Sequence, residues 1–187
     1  MTARPGHQAR RGTDGGTPTR SVPPPVRAVI SFETFYEREL RSVIGLAYAL
    51  SGSRVLAEDL AQDAFVAAHK NWDKISRYDK PEAWVRRVVA NMSVSAFRRK
   101  VREARAIARF GRPEPLIDRL PAEADHFWRQ VRGLPKRQAQ AVALHYLEDR
   151  SVADIAAILE CSESTVRVHL HKGRKRLAER MDVEDDA

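Results

Sequence analysis

From Leu134 to Leu177 the chain reads as helix, turn, short helix, turn, basic helix. That succession constrains the fold more than any other feature, because three short helices must close on one small core while the last keeps a charged face outward. Pro135 opens the first helix, where a missing N–H is tolerated, and Ala139, Val142, Ala143, Tyr146 and Leu147 follow at helical spacing. Glu148-Asp149-Arg150 ends it. Ser151, three residues before Asp154, makes a capping-box-like start, and Val152, Ile155, Ala156 and Leu159 give the next helix one apolar stripe. Glu160-Cys161-Ser162 forms a tight turn, and Ser162 caps the final helix. There Val166, Leu170 and Leu177 face inward, while Ser164, Arg167, His171, Lys172, Arg174 and Lys175 are left to an outside partner.

The sign of that outer face identifies the partner class. Between Ser164 and Arg180 there are six Lys or Arg and one Glu, with His169 and His171 besides. A face built only for solubility mixes its signs, so this one fits a DNA groove better than bulk water. Ser164 and Thr165 add short donors at the helix start, where phosphates and base edges are met. The whole chain agrees: a formal charge of +8 favours a polyanion, nucleic acid ahead of an anionic membrane.

Several classes are set aside. No run approaches the roughly 20 apolar residues that span a bilayer, and residues 1–29 lack the apolar centre of a signal peptide, so a cytoplasmic protein is expected. The single cysteine, Cys161, excludes an internal disulfide and a Cys-x-x-Cys zinc site, and reads as a small turn residue rather than a redox sensor. His145, Glu148 and Asp149 lie close in sequence, but no second histidine completes a ligand set, and ordinary polarity at a helix end accounts for them. There is no glycine-rich phosphate loop and no nucleophile beside a base. No catalytic residue, metal or cofactor is expected.

The expected fold is all-α, with two small helical domains. Residues 1–30 read as a disordered basic arm, with five Arg against one Asp around a triple proline. The first domain spans 31–110. Phe32, Phe35, Leu40, Val43, Ala47 and Leu50 mark a helix ended by Ser51-Gly52-Ser53. A second helix, from about Arg54 to Trp72, carries Leu56, Leu60, Ala64, Ala67 and Ala68 on one side and exposes Glu58, Asp59, Gln62 and Asp63, an acidic patch in a basic protein. A loop from Asp73 to Lys80 precedes Pro81, which starts a third helix holding Trp84, Val85, Val88, Met92 and Phe97. Its end is dense in charge, with seven Lys or Arg and one Glu from Arg98 to Arg112. Residues 111–122, with three prolines, form a flexible linker that extends to about 40 Å; 123–181 form the helix-turn-helix domain, and 182–187 an acidic tail.

Taken in order, three motifs carry a family resemblance. They are Ala57-Glu58-Asp59-Leu60-Ala61-Gln62-Asp63-Ala64-Phe65, then Pro81-Glu82-Ala83-Trp84-Val85-Arg86-Arg87-Val88-Val89-Ala90-Asn91, and lastly Leu134-Pro135 followed by Asp154-Ile155-Ala156-Ala157-Ile158-Leu159 and Ser164-Thr165-Val166-Arg167. From about Phe32 to Met181 the chain resembles the extracytoplasmic-function group of the bacterial sigma-70 family. Tyr146-Leu147-Glu148-Asp149 and Asn71-Trp72-Asp73-Lys74 look most like an actinobacterial SigE-like subgroup.

The resemblance implies a non-enzymatic subunit that gives core RNA polymerase its promoter specificity. It places Glu58, Asp59, Gln62 and Asp63 on a coiled coil of the largest polymerase subunit, as acceptors for basic side chains. It assigns the −10 element and promoter melting to the loop Ser76, Arg77, Tyr78, Asp79 and Lys80 and to the third helix. On that helix Asn91 offers a donor and an acceptor to a flipped base, and Arg86, Arg87, Arg98 and Arg99 hold the strand by its phosphates. Ser95 stands where the family usually has a longer Asp or Asn, which leaves its base contact open. Trp84 reads as core rather than stacking platform.

The last helix corresponds to the −35 reader, with the polymerase flap beside it. Its contacts are Ser164, Thr165, Arg167, Val168, His171, Lys172, Arg174 and Lys175. Val168 departs from the family's usual Ser and His169 from its Arg, so the −35 sequence should differ from that of better-known members, and Val168 could touch a thymine methyl. An anti-sigma factor is a possible further partner. The competing reading is a free-standing helix-turn-helix regulator, which would need a dimer to read two half-sites and would leave the acidic second helix unexplained.

Overall fold

The computed structural model describes residues 30–107 and 122–185, and every regular element among them is a helix. The all-α expectation is met. Residues 1–29 of the arm read as 1–30, residues 108–121, which take in the end of the first domain with its basic run and most of the linker, and the last two residues lie outside the described residues.

Helix α1, Phe32–Ser51, starts where Ser31 accepts a hydrogen bond from the Thr34 N–H at 3.2 Å, and stops at Gly52. Gly52 adopts φ +73°, its N–H reaching the Tyr48 carbonyl at 2.8 Å; any Cβ there would also lie 2.9 Å from the Arg132 guanidinium. Helix α2, Arg54–Lys70, is capped by Ser53. Its buried face is Ala57, Ala61, Ala64 and Ala68 with Leu60 and Phe65, and these small side chains let it lie close against α1. The chain then forms a single helical turn, α3, Trp72–Ile75, before the long α4, Pro81–Ile107.

The boundary of the second helix and the start of the loop differ from expectation. Asn71 Nδ2 donates to the Ala67 carbonyl at 2.8 Å and ends α2, and the residues after it coil once more. The reason is tertiary. Trp72 packs 4.8 Å from Phe35 and 5.4 Å from Phe32, and Ile75 is 1% exposed, so burial folds a segment whose polar residues read as loop.

In the C-terminal half, α5 (Ala122–Arg132), α6 (Lys136–Tyr146), α7 (Val152–Leu159) and α8 (Glu163–Asp185) enclose Val131, Leu134, Val142, Leu144, Ile155, Leu159, Val166 and Leu170. Pro135 sits at the cap of α6 with extended ψ, one position before the expected first turn, and the helix ends at Tyr146. The two halves do not stand apart in this arrangement. Helix α1 packs on α5 and α6, and α4 on α6 and α7, so the apolar clusters join. Helix α6 lies between them and is buried from Gln138 to Leu144 without a break.

Candidate nucleic-acid and polymerase interfaces

The turn before α8 is set by Glu160, which takes φ 52° and ends α7, and by Ser162, whose Oγ accepts the Thr165 N–H at 3.2 Å. Ser162 also contacts the hydroxyls of Ser164 and Thr165, each at 2.8 Å. Val166, Leu170 and Leu177 face the core, so the opposite side of α8 presents Ser164, Arg167, Val168, His171, Lys172, Arg174 and Lys175 to solvent, with Thr165 half-buried. Arg167 donates to Glu163 at 2.7 Å across one helical turn. Such an exposed pair is worth little and exchanges readily for a phosphate or base. His169 is held below the ordinary imidazole range, by burial first and then by Arg137 and Lys172, which favours its neutral form.

The loop Ser76–Lys80 and the start of α4 border a cleft of about 470 Å³ lined by Tyr78, Asp79, Lys80, Ala83, Trp84 and Arg87, with Ala157 of α7 and Glu160, the residue that caps it, as the opposite wall. Trp84 therefore borders the cleft as well as packing on the core. Two cations of the cleft are paired with α7: Lys80 with Asp154 and Arg87 with Glu160. The Lys80 contact raises the ammonium above its ordinary range, and Lys80 and Ser151 together hold the Asp154 carboxyl low. Farther along α4, Asn91 Oδ1 accepts from Gln140 Nε2 at 2.9 Å. Ser95 turns its hydroxyl to the Asn91 carbonyl at 2.7 Å, and Arg98 and Arg99 are exposed.

Arg86 requires a correction. It was expected to hold phosphates, yet it is 1% exposed. Its Nη1 donates to Glu39 at 2.7 Å, its Nη2 to the Ser42 hydroxyl at 3.1 Å, and its Nε to Glu148. Ser42 in turn donates to Glu148 at 2.8 Å, and Arg150 adds a contact at 3.2 Å. Burial by itself would raise the Glu39 carboxyl, but hydrogen bonds from Arg86 and Arg38 outweigh it and hold the group below the usual carboxylate range. Arg86 is thus the centre of a buried cluster, and Glu148 is a partner in it rather than ordinary helix-end polarity. Sequence reasoning missed Glu39 and Gln140. The signal for Glu39 was there, four residues from both Phe35 and Val43 on an apolar stripe, whereas Gln140 sits on a helix that also carries Lys136, Arg137, Gln138 and His145 and is marked only by its apolar neighbours Ala139 and Ala141 to Leu144.

On α2, Asp59, Gln62 and Asp63 are exposed and Glu58 is half-buried, accepting from Arg54 at 3.1 Å. Val55 and Val66, 69% and 53% exposed, share the register of Asp59 and Gln62, so the acidic face is bracketed by apolar residues the sequence reading did not single out. Among the described residues no helix is long and apolar enough to cross a membrane, and no group of three or more His, Cys, Asp or Glu is placed to hold a metal ion.

Comparison with known proteins bears on these surfaces. The family model of sigma-70 region 2 matches residues 35–103, and that of sigma-70 region 4 matches residues 125–177. The chain is 30% identical over 151 residues to the ECF RNA polymerase sigma factor SigM of Mycobacterium tuberculosis, covering 79% of this chain and 76% of that one. It is 26% identical over 151 residues to SigW of Bacillus subtilis, covering 73% and 81%. Among solved structures, the sigma factor RpoE of Bartonella quintana, in complex with the anti-sigma factor NepR, superposes with a TM-score of 0.64 at 24% identity, over 81% of this chain and 97% of that one.

Proposed function

This chain belongs to the extracytoplasmic-function sigma factors of the sigma-70 family, and on that premise we propose that its surfaces divide the work of promoter-specific initiation. The acidic face of α2, with Glu58, Asp59, Gln62 and Asp63, docks on basic residues of the core polymerase, and Val55 and Val66 add apolar contact beside it. The exposed face of α8 enters the major groove of the −35 element. Arg167 and Lys172 are its main contacts, the Ser164 end meets the backbone, and Val168 supplies an apolar contact suited to a thymine methyl.

The loop Ser76–Lys80 and the first turns of α4 take the −10 strand. Tyr78 and Trp84 offer aromatic faces, Asn91 a base-edge contact, and Lys80, Arg87, Arg98 and Arg99 the cations. Arg86 leaves this list and becomes a structural residue. The subunit supplies recognition and melting energy, and the polymerase supplies the chemistry. Its place of work is then the cytoplasm, and its polymerase-binding faces are a natural target for an anti-sigma factor.

The observation that carries the reading is the coexistence of two opposite surfaces, an acidic α2 and the predominantly basic stretch of α8 from Ser164 to Arg180, in the domain order of the family. In vitro transcription with sigma-free core polymerase on fragmented genomic DNA tests it. Discrete, factor-dependent start sites preceded by a shared pair of short elements are expected. Specific duplex binding by a stable dimer without polymerase, and no factor-dependent transcripts, would instead favour the free-standing regulator.

A further inference from the structure

We propose that the groove between the first turns of α1 and the last turns of α2 is a polyproline site, and that its occupant is this chain's own segment Val22-Pro23-Pro24-Pro25-Val26. Docked there, the arm covers Gln62 and Val66, which belong to both the groove and the α2 face offered to core polymerase. That consequence, unlike the docking itself, rests on the assignment of α2 to the polymerase.

The groove is walled by aromatic rings. It holds about 450 Å³ between Phe32 and Tyr36 of α1 and Phe65, Val66 and His69 of α2. Phe32 meets His69 edge to face with centroids 4.7 Å apart, and Tyr36 meets Phe65 in the same way at 4.9 Å, so the rings brace one another. Val66, at the rim, is 53% exposed. Grooves of this kind are what polyproline helices dock on: proline rings pack between aromatic ones, and a chain whose φ is already fixed loses little entropy on binding. Three consecutive prolines occur once in the sequence, at Pro23 to Pro25.

Chain position selects the occupant. Ile30 packs against the apolar cluster, and Phe32, two residues on, is a wall of the groove, so the arm leaves the fold at the groove's mouth. Residues 27–30 reach about 13 Å when extended, enough to turn the chain back along α1. The stretch of α2 that borders the groove, Gln62 to Lys70, rises about 12 Å. A polyproline helix from Val22 to Val26 covers about 15 Å. Tethered so closely, even a weak segment is held, because its effective concentration is about millimolar. Charge agrees. Arg20 and Arg27 flank the segment, while Glu33 and Glu37 lie one helical stripe beyond Phe32 and Tyr36, and Glu58 and Asp59 continue α2 past Gln62. Lys70, at one end, is the opposing charge.

The test uses the full chain in a Cys161→Ser background, with a nitroxide on Ser21→Cys and backbone amide signals followed by nuclear magnetic resonance. The signals of Gln62, Val66 and His69 should broaden while those of α8 keep their width. The broadening should vanish in a variant with Pro23→Ser, Pro24→Ser and Pro25→Ser together, and in Val66→Arg, whose exposed position leaves the core intact. The triple serine variant should also bind core polymerase about tenfold more tightly than its parent, as expected for a face free about one-tenth of the time.

Groove signals of ordinary width in the parent would overturn the docking, and broadening that survives the three serines would overturn the polyproline reading in favour of charge alone. Broadening that passes equally from spin-labelled chains to separate isotope-labelled ones would make the occupant a second copy and overturn the assignment to the arm. Docking without any change in core affinity would overturn the masking. Asp63→Arg in the same assay then separates the causes: loss of core affinity there keeps α2 on the polymerase, and wild-type affinity removes that reading instead.

Discussion

Glu148→Ala is the sharpest test of the structure, because Glu148 lies in the C-terminal domain and its partners Arg86 and Ser42 lie in the N-terminal one. Its side chain is 4% exposed and accepts from Arg86, Ser42 and Arg150. Removing one member of a buried ion pair costs about 3–5 kcal/mol, chiefly because the remaining charge stays desolvated. Arg86 keeps Glu39 and Ser42, and Arg150 regains water, so the lower end applies, about 3 kcal/mol. At this chain length that is a fall in Tm of about 6–12 °C. Urea unfolding followed by far-ultraviolet circular dichroism measures the change. A cycle with Arg86→Met should show coupling of about 2 kcal/mol between the two sites. A loss under about 1 kcal/mol with no coupling, the size of an exposed pair, would refute the buried interdomain bridge.

Arg167→Ala should weaken transcription from a promoter with an intact −35 element by the equivalent of about 1–3 kcal/mol and leave a pre-melted template lacking that element nearly unaffected; equal loss on both would argue against a groove contact. Asp63→Arg should reduce affinity for core polymerase while the circular dichroism spectrum stays that of the wild type, and wild-type affinity would take Asp63 out of the interface. Stability should fall in acid through the Arg86 cluster: because the folded Glu39 carboxyl titrates below its unfolded value, its contribution is present above the ordinary carboxylate range and is lost as pH drops through the lower folded value. Glu39→Gln should flatten that acid limb of a stability-against-pH curve, and an unchanged limb would assign it to other carboxylates.

Much of this protein is set by local sequence. The caps at Ser31, Ser53, Ser151 and Ser162 bond their own helices, and the stripe Val166, Leu170, Leu177 fixes which face of α8 is outward. Those are short-range effects with a known period, so the all-α class, the helix-turn-helix and the basic outer face follow from the order of residues alone. The acidic face of α2 is legible for the same reason, being what remains opposite its buried alanines.

What tertiary structure decided concerns charges whose partners are far away in the chain. Arg86 and Arg87 are neighbours of the same type, yet one is buried among Glu39, Ser42 and Glu148 and the other lies at a cleft against Glu160. Sequence cannot tell them apart, because the free energy of a charge depends on the dielectric and the counter-charge around it, and Glu148 is 62 positions away. The same holds for the turn at Trp72–Ile75, folded by burial against α1 rather than by its own propensities. Local order wrote the helices and their faces; only the packing of one domain on the other decided which arginine was buried and which stayed at the cleft.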